Sequence, residues 1–202
     1  MNRLIEGYRR FRAGTWPIER ARYQALSLAG QRPETLVIAC SDSRVDPATV
    51  FGAGPGELFV VRNVAGLVPP YQPDSRYHGT SAAIEYGVRV LKVRQIVVLG
   101  HAQCGGVQAM VEGAPVQGLD FVEQWIAIAQ PVLGPEPPGL DRVERLTHYE
   151  TQVVRLSLQN LRSFPWIAEP EAAGTLALHG MRFGIESGQL MELRGEAFVA
   201  VT

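Results

Sequence analysis

Leu36-Val-Ile-Ala-Cys40-Ser-Asp42-Ser-Arg44 decides the fold, and Gln95-Ile-Val-Val-Leu-Gly-His101-Ala-Gln-Cys104-Gly-Gly106 repeats its design. In each stretch a short apolar run ends in side chains capable of chemistry. A continuous apolar run bounded by polar residues reads as a strand buried on both faces. In open α/β sheets the ends of such strands face the crevice where ligands bind. Cys40, His101 and Cys104 are soft or borderline metal ligands on two such strand ends, and they read as the holders of one zinc ion.

Outward from these stretches, strands alternate with helices. Toward the N-terminus, Leu4, Ile5, Tyr8 and Phe11 repeat at helical spacing, with arginines opposite. Gly14 is expected to end this helix, and Thr15 with Pro17 to open a second that runs to about Ala29. Both helices precede the first strand, so residues 1–30 form an arm outside the sheet. Strand 35–39 is followed by a short helix over 45–51, a glycine-rich turn over 52–56 and a second buried strand over 58–62. Prolines forbid a helix over 67–75. A helix over 81–91 carries Ile84, Val88 and Leu91 on one stripe. Strand 96–99 runs to His101, and a helix opens at Gly105.

Residues 120–130 are apolar and helical, and 131–139 form a proline-rich loop. One long helix then places Val143, Leu146, Val153, Val154, Leu158 and Leu161 at core spacing. A fourth strand, 175–181, leads through the Gly188 turn to a hairpin partner over 190–193. The fold class is therefore α/β: one domain over 1–202, with a mainly parallel sheet of about four strands. A C-terminal antiparallel strand, helices on both faces and the helical arm complete it.

The chain of 202 residues is long enough for a substantial core. Its formal net charge of -1 suggests no nucleic-acid or anionic-membrane partner. No apolar run approaches the roughly 20 residues that span a bilayer. The first residues lack the apolar centre of a signal peptide, so a cytoplasmic protein is expected. The two cysteines lie 64 positions apart, which excludes a redox CxxC pair. A disulfide between them is possible on paper and disfavoured in a reducing compartment.

Three obvious ligands leave a tetrahedral zinc one position short, the mark of a catalytic site that keeps the fourth for water or hydroxide. His78, His148 and His179 could close the shell in principle, but none has a ligand-like context. Two thiolates weaken the ion as a Lewis acid, so a helper is needed. Asp42 is the candidate: ionised, it can accept a hydrogen bond from the nucleophile and orient it, while Arg44 holds it in that state. The alternative for this pair is an exposed ion pair worth about 0–1 kcal/mol. The N–H groups of Gly105 and Gly106, at a helix start, can bind an anion or a developing oxyanion.

Cys40-Ser-Asp42-Ser-Arg44 with His101-Ala-Gln-Cys104-Gly-Gly resembles the paired signature of the β-class carbonic anhydrases. The resemblance extends to Pro55–Val64, Ser81–Val88 and Leu178-His-Gly180, and covers the chain from about Ile5 to Leu193. It implies a zinc enzyme that interconverts carbon dioxide and bicarbonate through a zinc-bound hydroxide oriented by Asp42. Cys40, His101 and Cys104 would hold one Zn2+ per chain, and Asp42 and Arg44 would form the orienting dyad. Gln31 matches the family's substrate-binding glutamine, Phe59, Val64 and Tyr86 its apolar pocket wall, and the Gly105 amide would face bicarbonate. The glutamine, phenylalanine and tyrosine come from the other subunit in that family. A homodimer or dimer of dimers embraced by the helical arms is therefore expected.

Val37 stands where an inhibited, allosteric subset of the family has tryptophan, so the resemblance is to the open type, although Arg62 of the shared motif remains. Met181 departs from an expected aromatic. The same scaffold could instead hydrolyse carbonyl sulfide or carbon disulfide, or hold zinc without catalysis.

Overall fold

The computed structural model describes residues 1–113, 116 and 118–202. The chain begins with α1 (Asn2–Arg10) and α2 (Trp16–Ala29), joined by one π-helical turn over Phe11–Thr15. Gly14 thus does not end the first helix. The widened turn, in which Trp16 N–H bonds Phe11 O, lies just ahead of Pro17, whose ring would clash with a carbonyl in a regular turn. Nothing in this arm is buried. Arg22 ties it to the domain by donating to Pro55 O at 2.7 Å and pairing with Glu57 at 2.7 Å.

The sheet follows: β1 (Thr35–Cys40), α3 (Pro47–Val50), β2 (Leu58–Asn63) and α4 (Gly79–Glu85), which continues as a π-helical segment over Tyr86–Leu91. Next come β3 (Gln95–His101), α5 (Gly105–Glu112), α6 (Val122–Ile126) and α7 (Arg142–Arg162). Then come α8 (Pro165–Ala172), β4 (Ala177–Phe183), β5 (Leu190–Arg194) and β6 (Ala197–Ala200). The strand order is β2-β1-β3-β4-β5-β6, parallel through β4 and antiparallel at β5 and β6. The α/β class holds as read, with β6 as an additional strand and α8 as an additional helix.

β1 and β3 occupy the centre, so their residues alternate between two apolar layers. Leu36, Ile38, Ile96 and Val98 pack under α7 and α8, with Val154, Leu158, Leu161 and Ile167. Val37, Ala39, Val97 and Leu99 face the other way, onto Val45, Val50, Phe51 and Met181. Met181 therefore sits in packing, as expected of that departure. β2 is an edge strand and only Val61 in it is buried, so its apolar sequence does not mean burial within this chain. Val143, read as core, is 69% exposed. It lies in the first turn of α7, which overruns the layer and lines a cavity with Gln103 and Glu186.

α7 starts with a capping box: Asp141 accepts from Val143 and Glu144 N–H, and Glu144 returns to Asp141 N–H. It seats closely because β3 and β4 each present a glycine, Gly100 and Gly180, where it crosses them. A Cβ on Gly100 would stand 2.7 Å from Val154, and one on Gly180 2.9 Å from both Val154 and Leu158.

Candidate metal centre

β1 and β3 are adjacent and parallel, so Cys40 and His101 emerge at the same end of the sheet. Cys104 follows His101 by one turn, in which Gln103 takes a left-handed conformation, φ 54°. Cys104 caps α5 with extended backbone. The ligand atoms of Cys40, His101 and Cys104 all lie within 4.8 Å of one another, and all three residues are buried. The two sulfurs are 3.9 Å apart, hydrogen-bonded to each other and not joined in a disulfide. His78, His148 and His179 do not join them: His78 pairs with Asp74, His148 packs on Tyr149 and His179 faces Glu192.

His101 supplies the test of fit. Its Nδ1 lies 2.9 Å from Ala102 O, and a carbonyl can only accept, so the proton sits on Nδ1. Nε2 is then a bare lone pair, buried and without a hydrogen-bond partner among the described residues. An orphaned polar atom of this kind is costly unless something occupies its lone pair. Two thiols and one aimed imidazole form a donor set suited to zinc.

The thiols are electrically unequal. The hydrogen bond from Cys104 pulls the Cys40 thiol down to about 4, helped by His101 and the Asp42 N–H against the cost of burial. Cys104 is pushed up, first by its bond to Cys40 and then by burial. The N–H groups of Val107 and Gly106 work the other way, favouring a Cys104 thiolate. For His101, burial alone lowers the imidazole, but the neighbouring Cys40 and the bond to Ala102 O outweigh that and leave it raised.

Asp42 stands at the mouth, with Oδ2 3.9 Å from His101 Nε2. Arg44 holds it by a fork, Nε to Oδ1 at 3.0 Å and an Nη to Oδ2 at 2.8 Å, and Arg44 N–H adds a third bond at 2.9 Å. The Arg44 side chain keeps the Asp42 carboxyl far below the usual carboxylate range, against the opposing effect of burial. The same guanidinium donates to Gln103 O at 3.0 Å, bridging the β1 and β3 loops. Arg62 staples the first loop, donating to Cys40 O, Asp42 O and Val45 O at 2.9, 2.6 and 2.9 Å.

Val64 is near the centre: a Cβ on Gly106 would stand 3.0 Å from it and 2.9 Å from Ala65. Ala65 itself has φ 65°, and with Gly66 it turns the chain tightly beside Cys40 N. Val64 also lines a cavity of about 560 Å3 with Tyr77, Thr80, Phe121 and Trp125. Gly105 is the first residue of α5, where backbone N–H groups lack helical partners. Phe59 and Tyr86 stack on each other at 5.9 Å. They sit elsewhere, because Phe59 is level with Leu36 and Cys40 with Asn63. At about 3.3 Å per residue, four residues of strand separate the two levels by about 13 Å. Gln31 is exposed, further back still, ahead of β1.

Behind Cys104 lies a pair that the sequence does not announce. Glu150 of α7 is 3% exposed; its Oε1 accepts Cys104 N–H at 3.3 Å. Its Oε2 meets Arg182 of β4 at 2.8 and 2.7 Å, and Arg182 also donates to Thr147 Oγ1 at 3.2 Å. A glutamate on a long helix reads as surface, so no sequence signal marks it.

A mostly parallel sheet with two cysteines and one histidine gathered at its carboxyl edge defines an α/β protein whose centre could hold a metal ion. Comparison with known proteins narrows this. A sequence profile described as carbonic anhydrase matches residues 35–190. A carbonic anhydrase from Pseudomonas aeruginosa is 38% identical over 197 residues, covering 96% of this chain and 88% of that protein. Among solved structures, the β-carbonic anhydrase CcaA superposes with TM-score 0.88 and 32% identity, over 100% of this chain and 92% of that one. A tetrameric β-carbonic anhydrase from the ascomycete Sordaria macrospora gives 0.81 and 28%, over 100% and 98%. The chain belongs to the carbonic anhydrase family, in its β class.

Proposed function

We propose that this chain hydrates carbon dioxide reversibly to bicarbonate and a proton at a zinc ion held by Cys40, His101 and Cys104. The observation that carries the reading is the orphaned His101 Nε2 aimed at two sulfurs, with the Asp42–Arg44 pair beside it. Zinc bound there supplies a water of lowered pKa and hence a nucleophile near neutral pH. Asp42, kept ionised by Arg44, accepts a hydrogen bond from the attacking water and turns its lone pair toward the substrate carbon. Because Arg44 occupies both Asp42 oxygens and Val37 is fully packed, the open arrangement is favoured over one closed by Asp42.

The Gly105 N–H and the Gln31 amide donate to the oxygen that gains charge, as preorganised dipoles do in acyl and carbonyl chemistry. Val64, Phe59 and Tyr86 wall the apolar entrance. The 13 Å offset of Phe59 means that one chain does not assemble that wall, so Gln31, Phe59 and Tyr86 are assigned to the site of a second copy. The arm supports an assembly of two chains or a dimer of dimers: its apolar residues Leu4, Tyr8, Ile18 and Leu28 are largely exposed to solvent. No helix among the described residues is long and apolar enough to cross a membrane.

Stopped-flow hydration of carbon dioxide by zinc-loaded protein, scanned from acid to alkaline pH, tests the reading. Fast turnover at neutral pH is expected. Turnover confined to alkaline pH would overturn the open arrangement, and none at any pH with zinc bound would overturn the activity.

A further inference from the structure

We propose that Glu150, locked by Arg182, is a positioning residue for the third metal ligand: it anchors the Cys104 N–H from behind and so aims the Cys104 sulfur at Cys40 and His101. The inference rests on the metal reading of those three residues.

An ion pair this deep calls for a reason. Buried pairs contribute little over apolar residues of the same size, because taking two charges out of water costs about what their attraction returns. Glu150 and Arg182 are nevertheless nearly enclosed, with side chains 2% and 15% exposed. Their partners define what they do. The two Glu150 oxygens are divided between Arg182 and the backbone of one residue, Cys104. Arg182 neutralises the carboxylate, so no net negative charge is placed behind a thiolate.

The fold brings the pair there deliberately. Arg182 is level with Gly100 across the β3–β4 ladder, one residue before His101. The absence of side chains on Gly100 and Gly180 lets α7 lie against the sheet, with Val154 in the notch. Glu150 is one helical turn before Val154, on the same face, and therefore reaches the end of β3. On the other side of the turn, Arg44 holds Gln103 O. The loop from His101 to Cys104 is thus gripped at its last N–H by Glu150 and at the preceding carbonyl by Arg44. Cys104 then has little freedom other than to present its sulfur to Cys40. Partners one shell out from a metal set affinity in this way, by fixing a ligand before the ion arrives.

The test compares two double variants that both remove the buried charges. Glu150→Leu/Arg182→Leu deletes the acceptor for Cys104 N–H, whereas Glu150→Gln/Arg182→Leu keeps one. Zinc affinity is read by competition with a chromophoric chelator, and site geometry by the visible absorption of the cobalt-substituted protein. The leucine pair should bind zinc about 10–100-fold more weakly than wild type and show an altered cobalt spectrum. The glutamine form should recover most of that loss. Equal affinities and spectra in the two double variants would overturn the proposal.

If either variant fails to fold, amide exchange in zinc-stripped wild type decides. A Cys104 N–H as slow as those of β3 supports the anchor, and exchange at open-loop rates overturns it. Wild type that takes up no zinc overturns the metal reading and this inference with it, whereas zinc binding without hydration activity leaves this inference standing and removes only the proposed reaction.

Discussion

Gly100→Ala introduces a single carbon where α7 meets β3, and its cost follows from one distance. The new Cβ would stand 2.7 Å from Val154 Cγ2, with Met181 O at 3.6 Å and Glu150 O at 3.8 Å. An ordinary carbon–carbon contact needs about 3.5–4.0 Å, so α7 must retreat by roughly 1 Å or Val154 must leave its rotamer. Overpacking of a tight interior costs about 1–3 kcal/mol. Alanine returns about 0.5–1 kcal/mol through the lower chain entropy of its unfolded state. The middle of the two ranges leaves a net loss of about 1 kcal/mol. In a domain of this size each kcal/mol moves Tm by about 2–4 °C, which gives a fall of about 2–4 °C by scanning calorimetry at fixed zinc.

Val154→Ala in the same background supplies the decisive control. It removes the two methyl groups beneath which the new carbon would lie. The double variant should be less destabilised than the sum of the single ones by about 1 kcal/mol. Strict additivity, or a Gly100→Ala protein with unchanged Tm, would refute the steric argument.

Asp42→Asn should retain zinc yet lose most neutral-pH hydration activity, measured by stopped flow beside metal analysis; near-normal rates would remove Asp42 from the chemistry. Cys104→Ser should lose zinc and melt earlier, since ligand and fold are coupled; full occupancy in that variant would mean the ligand set is wrong. Because Arg44 depresses the Asp42 carboxyl, their pair stabilises the fold above the ordinary aspartate range and loses that effect as the carboxyl protonates in acid. With the Arg44 side chain 45% exposed, solvent screens much of the effect, so Asp42→Asn should only slightly flatten the acid limb of a stability profile. Leu4→Glu with Tyr8→Glu should shift the assembly toward monomer by light scattering, and an unchanged mass would show that the arm faces solvent in the assembly too.

The two central strands were legible because a strand buried on both faces needs an unbroken apolar run. Leu36–Ala39 and Ile96–Leu99 supply it, and each run leads into residues of the candidate metal centre. The Asp42–Arg44 pair was legible for a similar reason, since residues two apart in a tight turn can meet without help from the rest of the fold. What escaped depended on tertiary context. Gly14 looked like a stop, yet a glycine costs only about 1 kcal/mol inside a helix, and the chain continues through it. The short α8 was hidden by Pro165 and Pro170, one at a helix start and one inside. β6 is a four-residue edge strand that exists only because β5 precedes it. Apolarity in β2 spoke for burial, but half of that strand faces outward at the sheet edge. Glu150 and Ser157 were invisible as core residues because their partners, Cys104 N–H and Val68 N–H, lie 46 and 89 positions away.

Cys40, at the end of β1, and Cys104, in the turn after β3, meet in space but stand 64 positions apart in the chain. An ion gripped by both is therefore also a cross-link. Closing a loop of that length removes denatured-chain entropy worth about 4 kcal/mol by the relation used for disulfides. That is a large share of the 5–15 kcal/mol by which domains outlast unfolding. Filling the site would then decide how long a newly made chain survives as well as whether it works. A cell short of zinc would hold copies that open more often and meet its proteases sooner, so the protein's abundance should track metal supply even with its synthesis held constant.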